Sequence, residues 1–360
     1  MAGGHPQADD ETTLAVAHES HAVGMSATVP CDPPSSLDLI SRRAALASGV
    51  TPGLLRARLR RGDWLTVRPG WFVPRETWDA LDEYVGRPRL EILAAHQSVT
   101  EPHAVSHVSA ALMHGVPFLR PRQPLIHVTK LKGPRTRIRA GIKHHQARCI
   151  LPVVEMVRGV PVLTLPRTAL DVAREDGFAA GVVIIDAIRN RGVTVEALLR
   201  DLEPMWRWPY VSTAREALLF SDSGAESVGE SLLRIMIAEL ELGSPIETQF
   251  ELRDATGWAR CDLRVGRHVF EFDGRLKYRR TQEGGVATTS GESVLMAEKE
   301  RQDWVCGFHL GMSRVVWDDL WGIRRERTKR RLRREYDATV ARYGTDLRDL
   351  DRYRVRRRAS

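Results

Sequence analysis

GWARCDLRVGRHVFEFDGRLKY, residues 257–278, concentrates charge among apolar neighbours. Two strand-like runs, Ala259 to Val265 and His268 to Phe272, flank Gly266-Arg267, a pair suited to a tight turn because glycine accepts the positive φ such turns require. With those two residues as the loop, Val265 faces His268, and counting outward sets Asp262 opposite Glu271. Asp273, two residues on, shares the face of Glu271. Opposed carboxylates with Cβ atoms about 5 Å apart repel, so a fold keeps them where something cationic lies between them. A divalent metal is the economical candidate.

The residues before the hairpin, AESVGESLLRIMIAELELG (225–243), read as a helix with Glu226, Glu230, Leu233, Ile237 and Leu240 along one face. Two acids at the start of an apolar stripe have a plain explanation, pairing with the helix dipole plus a Glu230 to Arg234 ion pair. Ahead of the hairpin they gain a second one. The expected order is this helix, a strand over Thr248 to Leu252, the strand with Asp262, the strand with Glu271 and Asp273, a helix over Val294 to Trp304 and a strand over Met312 to Trp317, that is, αβββαβ.

That order and those carboxylates resemble the PD-(D/E)XK nuclease superfamily. More closely, ESLLR, CDLRVGRHVFEFDGRLKY and EKERQDWVCGFHLGMSRVVWDDL are similar to the branch related to the very short patch repair endonuclease, over roughly 224–320. The resemblance implies a restriction-endonuclease-like domain in which Asp262 stands at the metal-binding Asp and Glu271 at the (D/E) position. The place two after that acid, usually Lys, holds Asp273. Lys277 is then the first choice for the lysine role and Lys299 the reserve. Hard oxygen ligands from Asp262, Glu271 and Asp273, with Glu230 beside them, suit Mg²⁺ and would accept Mn²⁺.

Upstream, residues 1–36 are rich in Ala, Gly, Pro, Ser and acids without a sustained period, and are expected to be disordered. From Leu37 the pattern tightens. Leu39, Ile40, Ala44 and Leu46 suggest a short helix ended by Gly49; Thr51 and Pro52 suit the start of a second helix and Gly62 its end; WLTVRPGWFV reads as two strands around Pro69-Gly70. Helix, turn, helix and β-wing make a winged helix-turn-helix over 37–77, whose second helix offers Arg56, Arg58, Arg60 and Arg61 to DNA. The run GVTPGLLRARLRRGDWLTVRPGWFVP is similar to the N-terminal domain of AbiEi-like antitoxins, which implies DNA contact or autoregulation, with a cognate toxin as a further partner. Exposed arginines on a small helical hairpin also occur without any DNA role.

Residues 78–211 read as a mixed α/β region, with a helix over Val105 to His114, strands over Leu125 to Thr129 and Gly159 to Thr164, and helices over Pro166 to Ala173, Gly177 to Arg189 and Thr194 to Leu202. Its histidines, His103, His107, His114, His127, His144 and His145, form no HxxxH or HExxH pair, so core or surface roles are favoured over a metal. Lys130, Lys132, Arg135, Arg137, Arg139 and Lys143 form a basic stretch that suits either a DNA backbone or a solvated edge. The tryptophans of MWRWPYVSTAREALLFSDSG, at the boundary expected near 211/212, are better read as packed than as stacked on bases.

The whole is thus expected to be a multidomain α/β protein, with the nuclease-like domain over 212–322 and a basic helix and tail over 323–360. A net charge of +8 over 360 residues points to a polyanionic partner, and arginine dominates the chain from Arg324 on. That basic end suits nonspecific nucleic-acid attachment or plain solubility. No apolar window is long enough to span a bilayer and no basic n-region precedes an apolar h-region, so neither membrane nor secretion is expected. Four scattered cysteines suit a reducing cytoplasm and form no zinc module.

The leading expectation is a metal-dependent DNA endonuclease in repair, defence or toxin-antitoxin control. The alternatives are an antitoxin or transcriptional regulator with a silent nuclease-like domain, and a structural network of the acids with Arg260, Arg264 and Arg275. Oligomeric state is left open.

Overall fold

A computed structural model describes residues 39–130, 136–146, 153–274 and 291–355, without the side chains of 291–295 and 297. The segment 1–36, Lys132, Arg135, Arg275 and Lys277 lie outside the described residues. The protein is mixed α/β and divides into two compact units between Ser221 and Asp222.

The N-terminal unit opens with β1 (Ile40–Ser41), α1 (Arg42–Ala47), α2 (Pro52–Arg61), β2 (Trp64–Arg68) and β3 (Trp71–Pro74), whose strands form a sheet in the order β1-β3-β2. Ile40 pairs with Phe72 in that sheet rather than starting a helix, as the apolar pattern suggested. The reason is Ser41: its hydroxyl accepts from Ala44 N–H at 3.0 Å and fixes the helix start at Arg42. Thr51 caps α2 in the same way at 3.2 Å, with Pro52 in the first turn and Gly62 left-handed at φ 78° at its end.

There follow α3 (Arg75–Ala80), α4 (Gly86–Ser98), β4 (His103–Val105), α5 (His107–His114), β5 (Ile126–Lys130), β6 (Arg137–Arg139), β7 (Ile142–Gln146), β8 (Val154–Val157), β9 (Val160–Leu163), α6 (Leu165–Asn190), α7 (Val195–Leu202) and α8 (Val211–Phe220). Val105, expected in a helix, ends β4 instead and pairs with Val162. The sheet runs β6-β7-β5-β4-β9-β8, with β5 parallel to β7 and β4 parallel to β9. The two helices expected over 166–189 are one run broken at Gly177, where φ 88° and ψ −177° interrupt the helix. Leu90, Val105, Ala110, Met113 and Val162 form the core between the sheet and its helices.

The C-terminal unit comprises α9 (Val228–Ala238), β10 (Ile246–Arg253), β11 (Trp258–Val265), β12 (His268–Asp273), α10 (Gly291–Cys306), β13 (Gly311–Val316) and α11 (Gly322–Tyr343). Its four strands run in the order β10-β11-β12-β13, antiparallel except that β12 and β13 are parallel. Val269 on β12 packs with Val305 of α10, whereas Phe272 lies against Gly229 of α9 with no room for a Cβ between them. Helices therefore cover both faces of the sheet.

The basic segment after 320 is structural as well as charged. Thr328, Leu332, Tyr336 and Thr339, spaced by four, four and three, form the buried stripe of α11. His268 ties that helix to the sheet, with Nδ1 2.7 Å from the Thr339 hydroxyl and Nε2 2.8 Å from the Ser313 hydroxyl. Beyond it, Arg253 N–H donates to Tyr353 C=O at 2.8 Å and Val355 N–H to Glu251 C=O at 3.2 Å, so residues 353–355 cover the edge of β10.

Candidate functional site

The hairpin turn forms as its residues dictate. Gly266 is left-handed at φ 53°, Val265 pairs with His268 and Leu263 with Phe270. At Asp262 the ladder changes character. Its Oδ2 accepts the Phe272 N–H at 2.8 Å, so a side chain meets β12 in place of the main chain, and on the other flank Gln249 of β10 is left-handed at φ 51°. The Asp262 carboxylate therefore lies beside the peptide between Glu271 and Asp273, rather than simply facing Glu271.

Glu271 has a protein partner. Arg301 of α10 grips both its oxygens, Nη2 to Oε1 at 2.7 Å and Nη1 to Oε2 at 3.1 Å, and Arg314 of β13 stands 4.0 Å away. A further Arg301 contact, Nη2 to the Arg260 carbonyl at 2.7 Å, helps fix the guanidinium in place. Burial opposes the charge on Arg301, but hydrogen bonding and charge from Glu271 outweigh it and hold the pKa above the ordinary guanidinium value. Burial, then the Glu271 charge, likewise push the neighbouring Cys261 thiol up.

Glu230 sits on the first turn of α9, beside the N-cap Ser227. Its Oε1 accepts from the Ser227 hydroxyl at 2.8 Å, its Oε2 from Glu226 N–H at 2.9 Å, and its own N–H donates to Ser227 Oγ at 3.2 Å. Gln249 Nε2 donates to the same Oε2 at 2.9 Å. Asp273, half-buried at the end of β12, pairs with Val316 in the ladder, and its carboxylate has no hydrogen bond or ion pair among the described residues. Lys299 is exposed on α10, and it is Arg301, two residues on, that reaches the carboxylates. Of the arginines in the alternative ion-pair network, Arg260 pairs with Glu226 at 2.9 Å and Arg264 with Glu247.

On α2, Arg56, Arg60 and Arg61 are exposed; Arg61 also pairs with Asp63 at 2.8 Å. Arg58 lies over the Trp64 ring at 4.8 Å, which takes it from the exposed set. In the middle basic stretch Lys130 is buried against Glu101 at 3.0 Å and Lys143 pairs with Glu175, leaving Arg137 and Arg139 exposed. Trp208 is packed between Arg167 and Arg174, at 4.7 and 4.9 Å, whereas Trp206 is largely exposed. Along α11, Arg327, Arg330 and Arg334 stay exposed on the face away from the buried stripe.

Reading the histidines one by one misses a cluster. His107, His127 and His145, from α5, β5 and β7, bring one donor nitrogen each to within 4.8 Å of the others, and all three residues are buried. They are the one such group of histidines, cysteines and acids among the described residues. Burial, reinforced by the neighbouring imidazoles, drives His107 well below its ordinary value and His145 down to about 2. Burial lowers His127 to about 4, with Glu175 opposing and Lys143 assisting. All three are thus neutral donors near pH 7.

No family model matches this chain, and no curated protein matches it. No helix among the described residues is long and apolar enough to cross a membrane.

Proposed function

We propose that the C-terminal unit is a PD-(D/E)XK-type, metal-dependent DNA endonuclease core, carried with an N-terminal winged helix-turn-helix that contacts DNA. One observation carries this reading. The α-β-β-β-α-β order over 228–316, on a sheet with β12 and β13 parallel, brings the Asp262 carboxylate onto the amide between Glu271 and Asp273.

The donor set fits a hard cation in a narrower form than four carboxylates. Mg²⁺ keeps several waters and needs only one or two protein carboxylates together with substrate phosphate. Asp262 and Asp273 meet that need; Glu271, with both oxygens on Arg301, and Glu230, bonded to the N-cap Ser227, serve as supports. Mn²⁺ would satisfy the same oxygens. The ion would supply a polarised phosphoryl oxygen and a more acidic bound water. The chain itself supplies position: Arg301 and Arg260 C=O brace β11 and β12 against α10, and Arg56, Arg60 and Arg61 offer charge to a DNA backbone. Lys277 remains the proposed lysine, with Lys299 second.

Nicking of supercoiled plasmid by the full chain, with Mg²⁺ or Mn²⁺ and with chelator, tests the reading. The expected result is cation-dependent nicking lost in Asp262→Ala, with the circular dichroism of the folded protein retained. Equal cutting by both proteins would overturn it. A second reading, a DNA-binding regulator or antitoxin with a silent nuclease-like domain, is favoured by one specific feature, the Glu271–Arg301 pair beside an Asp in the lysine position. Cation-independent DNA binding without any nicking would decide for it.

A further inference from the structure

We infer that His107, His127 and His145 form a Zn²⁺ site in the N-terminal unit, with a fourth coordination position open to a pocket. Neither the carboxylates of the C-terminal unit nor the DNA-contacting arginines enter this argument.

Strand pairing builds two-thirds of the site. β5 and β7 run parallel with His127 beside Lys143 and Thr129 beside His145, and residues two apart in a strand share a face. His127, Thr129, Lys143 and His145 therefore project together. The third ligand arrives from the first residue of α5, where His107 is held left-handed at φ 52°. A side-chain-bearing residue at such a φ stores strain, and strain of this kind collects where a side chain must be aimed at a site.

One nitrogen of each ring lies within 4.8 Å of the others, and His145 Nε2 and His127 Nδ1 are 3.0 Å apart. The His107 ring lies on that of His145 with centroids 3.8 Å apart, a stack that a rotation of His107 must open for both rings to point at one ion. Two imidazole nitrogens each 2.0–2.1 Å from one tetrahedral zinc lie about 3.3 Å apart. Histidine ligands hold their second ring nitrogen in a hydrogen bond that fixes the ring, and His107 Nδ1 has the Ser106 hydroxyl at 3.0 Å, so Nε2 is the donor it offers. A hydrogen bond between His127 and His145 would account for two of the rings. It gives no reason for a third buried imidazole to converge on them at the cost of backbone strain.

The surroundings favour an open site over a closed structural one. His107 and His145 line a pocket of about 510 Å³ together with Thr129, Asp171, Arg174 and Trp208. Thr129 Oγ1 is buried there and has no hydrogen-bond partner among the described residues, so it is placed to bond a water or ligand atom in the fourth position. Three protein ligands and one open position is the pattern of reactive zinc sites. An all-imidazole set selects Zn²⁺ over Mg²⁺, which needs oxygen.

The test uses the full chain, stripped with chelator, reloaded with Zn²⁺ and freed of excess metal. Roughly one zinc per chain is expected by elemental analysis, and Co²⁺ in its place is expected to give the intense visible absorption of four-coordination rather than the weak spectrum of an octahedral ion. His127→Gln and His145→Gln are expected to lose affinity by at least about tenfold. Asp262→Ala is expected to keep its zinc, which separates this site from the proposed nuclease centre. A wild-type chain that retains no zinc, an octahedral Co²⁺ spectrum, or folded His variants that bind as wild type would each overturn the inference. Should those variants not fold, the Co²⁺ spectrum of the wild type decides alone.

Discussion

Replacing Arg301 by Met isolates the interaction that most constrains the carboxylates. The variant loses two charge-assisted hydrogen bonds to Glu271, at 2.7 and 3.1 Å, and leaves the Arg260 carbonyl without its 2.7 Å donor. Breaking a buried ion pair costs about 3–5 kcal/mol because the remaining charge is stranded. The Glu271 side chain is 10% exposed, but that of Arg301 is 29% exposed, so water relieves part of the loss. The lower end, about 3 kcal/mol, is the expected destabilisation. For a unit spanning 222–360 this corresponds to a fall in Tm of roughly 10 °C. Urea unfolding of the wild type, Arg301→Met, Glu271→Gln and the double variant completes a cycle, with an expected coupling of about 2 kcal/mol. A coupling below about 0.5 kcal/mol would refute the reasoning and return Glu271 to the metal. The same reasoning requires Mg²⁺ to stabilise Glu271→Gln about as much as the wild type, since Asp262 and Asp273 are the proposed ligands.

Two further outcomes follow from groups already described. Burial holds His268 down to about 4 against an ordinary 6.5, although Glu335 pulls the other way. A depressed histidine takes up its proton more readily when unfolded, so its contribution is complete above pH 6.5 and is lost as pH falls from there through 4, by up to about 3 kcal/mol. The C-terminal unfolding transition of His268→Gln should show a shallower decline across that window, and an unchanged slope would remove His268 from the account. On α2, Arg56→Ala, Arg60→Ala and Arg61→Ala should each weaken DNA binding across sequences and flatten the dependence of log K on log salt by about 0.9 per lost phosphate contact. Three variants with the wild-type slope would place DNA elsewhere.

What was legible in the sequence was what local chemistry determines. Gly266-Arg267 specifies the hairpin, and the register next to it follows without reference to anything distant. Thr51, Pro52 and Gly62 bracket α2 for the same reason. Ser41 carried equally local information, and attention to its hydroxyl would have separated β1 from α1. The six-stranded sheet is different, since its parallel pairs join strands distant in sequence, Val105 with Val162 among them, and no turn residue encodes that. The inward face of α11 was hidden in another way. Its buried stripe is two threonines, one leucine and one tyrosine in a helix crowded with arginine, so hydrophobic periodicity has almost nothing to register.

The candidate sites divide along the same line. Counting along two strands located Asp262 near Glu271, but the count assumes an unbroken ladder, and the Asp262 side chain takes the Phe272 amide where the ladder would continue. A cation beside Glu271 was called for by charge; that Arg301 reaches it depends on how α10 lies over the sheet, which strand arithmetic does not contain. Histidine spacing failed for a related reason. Motif searches look for ligands one helical turn apart, whereas His107, His127 and His145 come from a helix start and two parallel strands, about twenty residues from one to the next. The signal available was subtler: His127 and Thr129 alternate inward on one strand, Lys143 and His145 on another, so each strand spends inward positions on polar groups. A sheet face can hold such groups only if something satisfies them: Lys143 pairs with Glu175, and the imidazoles are where we propose the Zn²⁺.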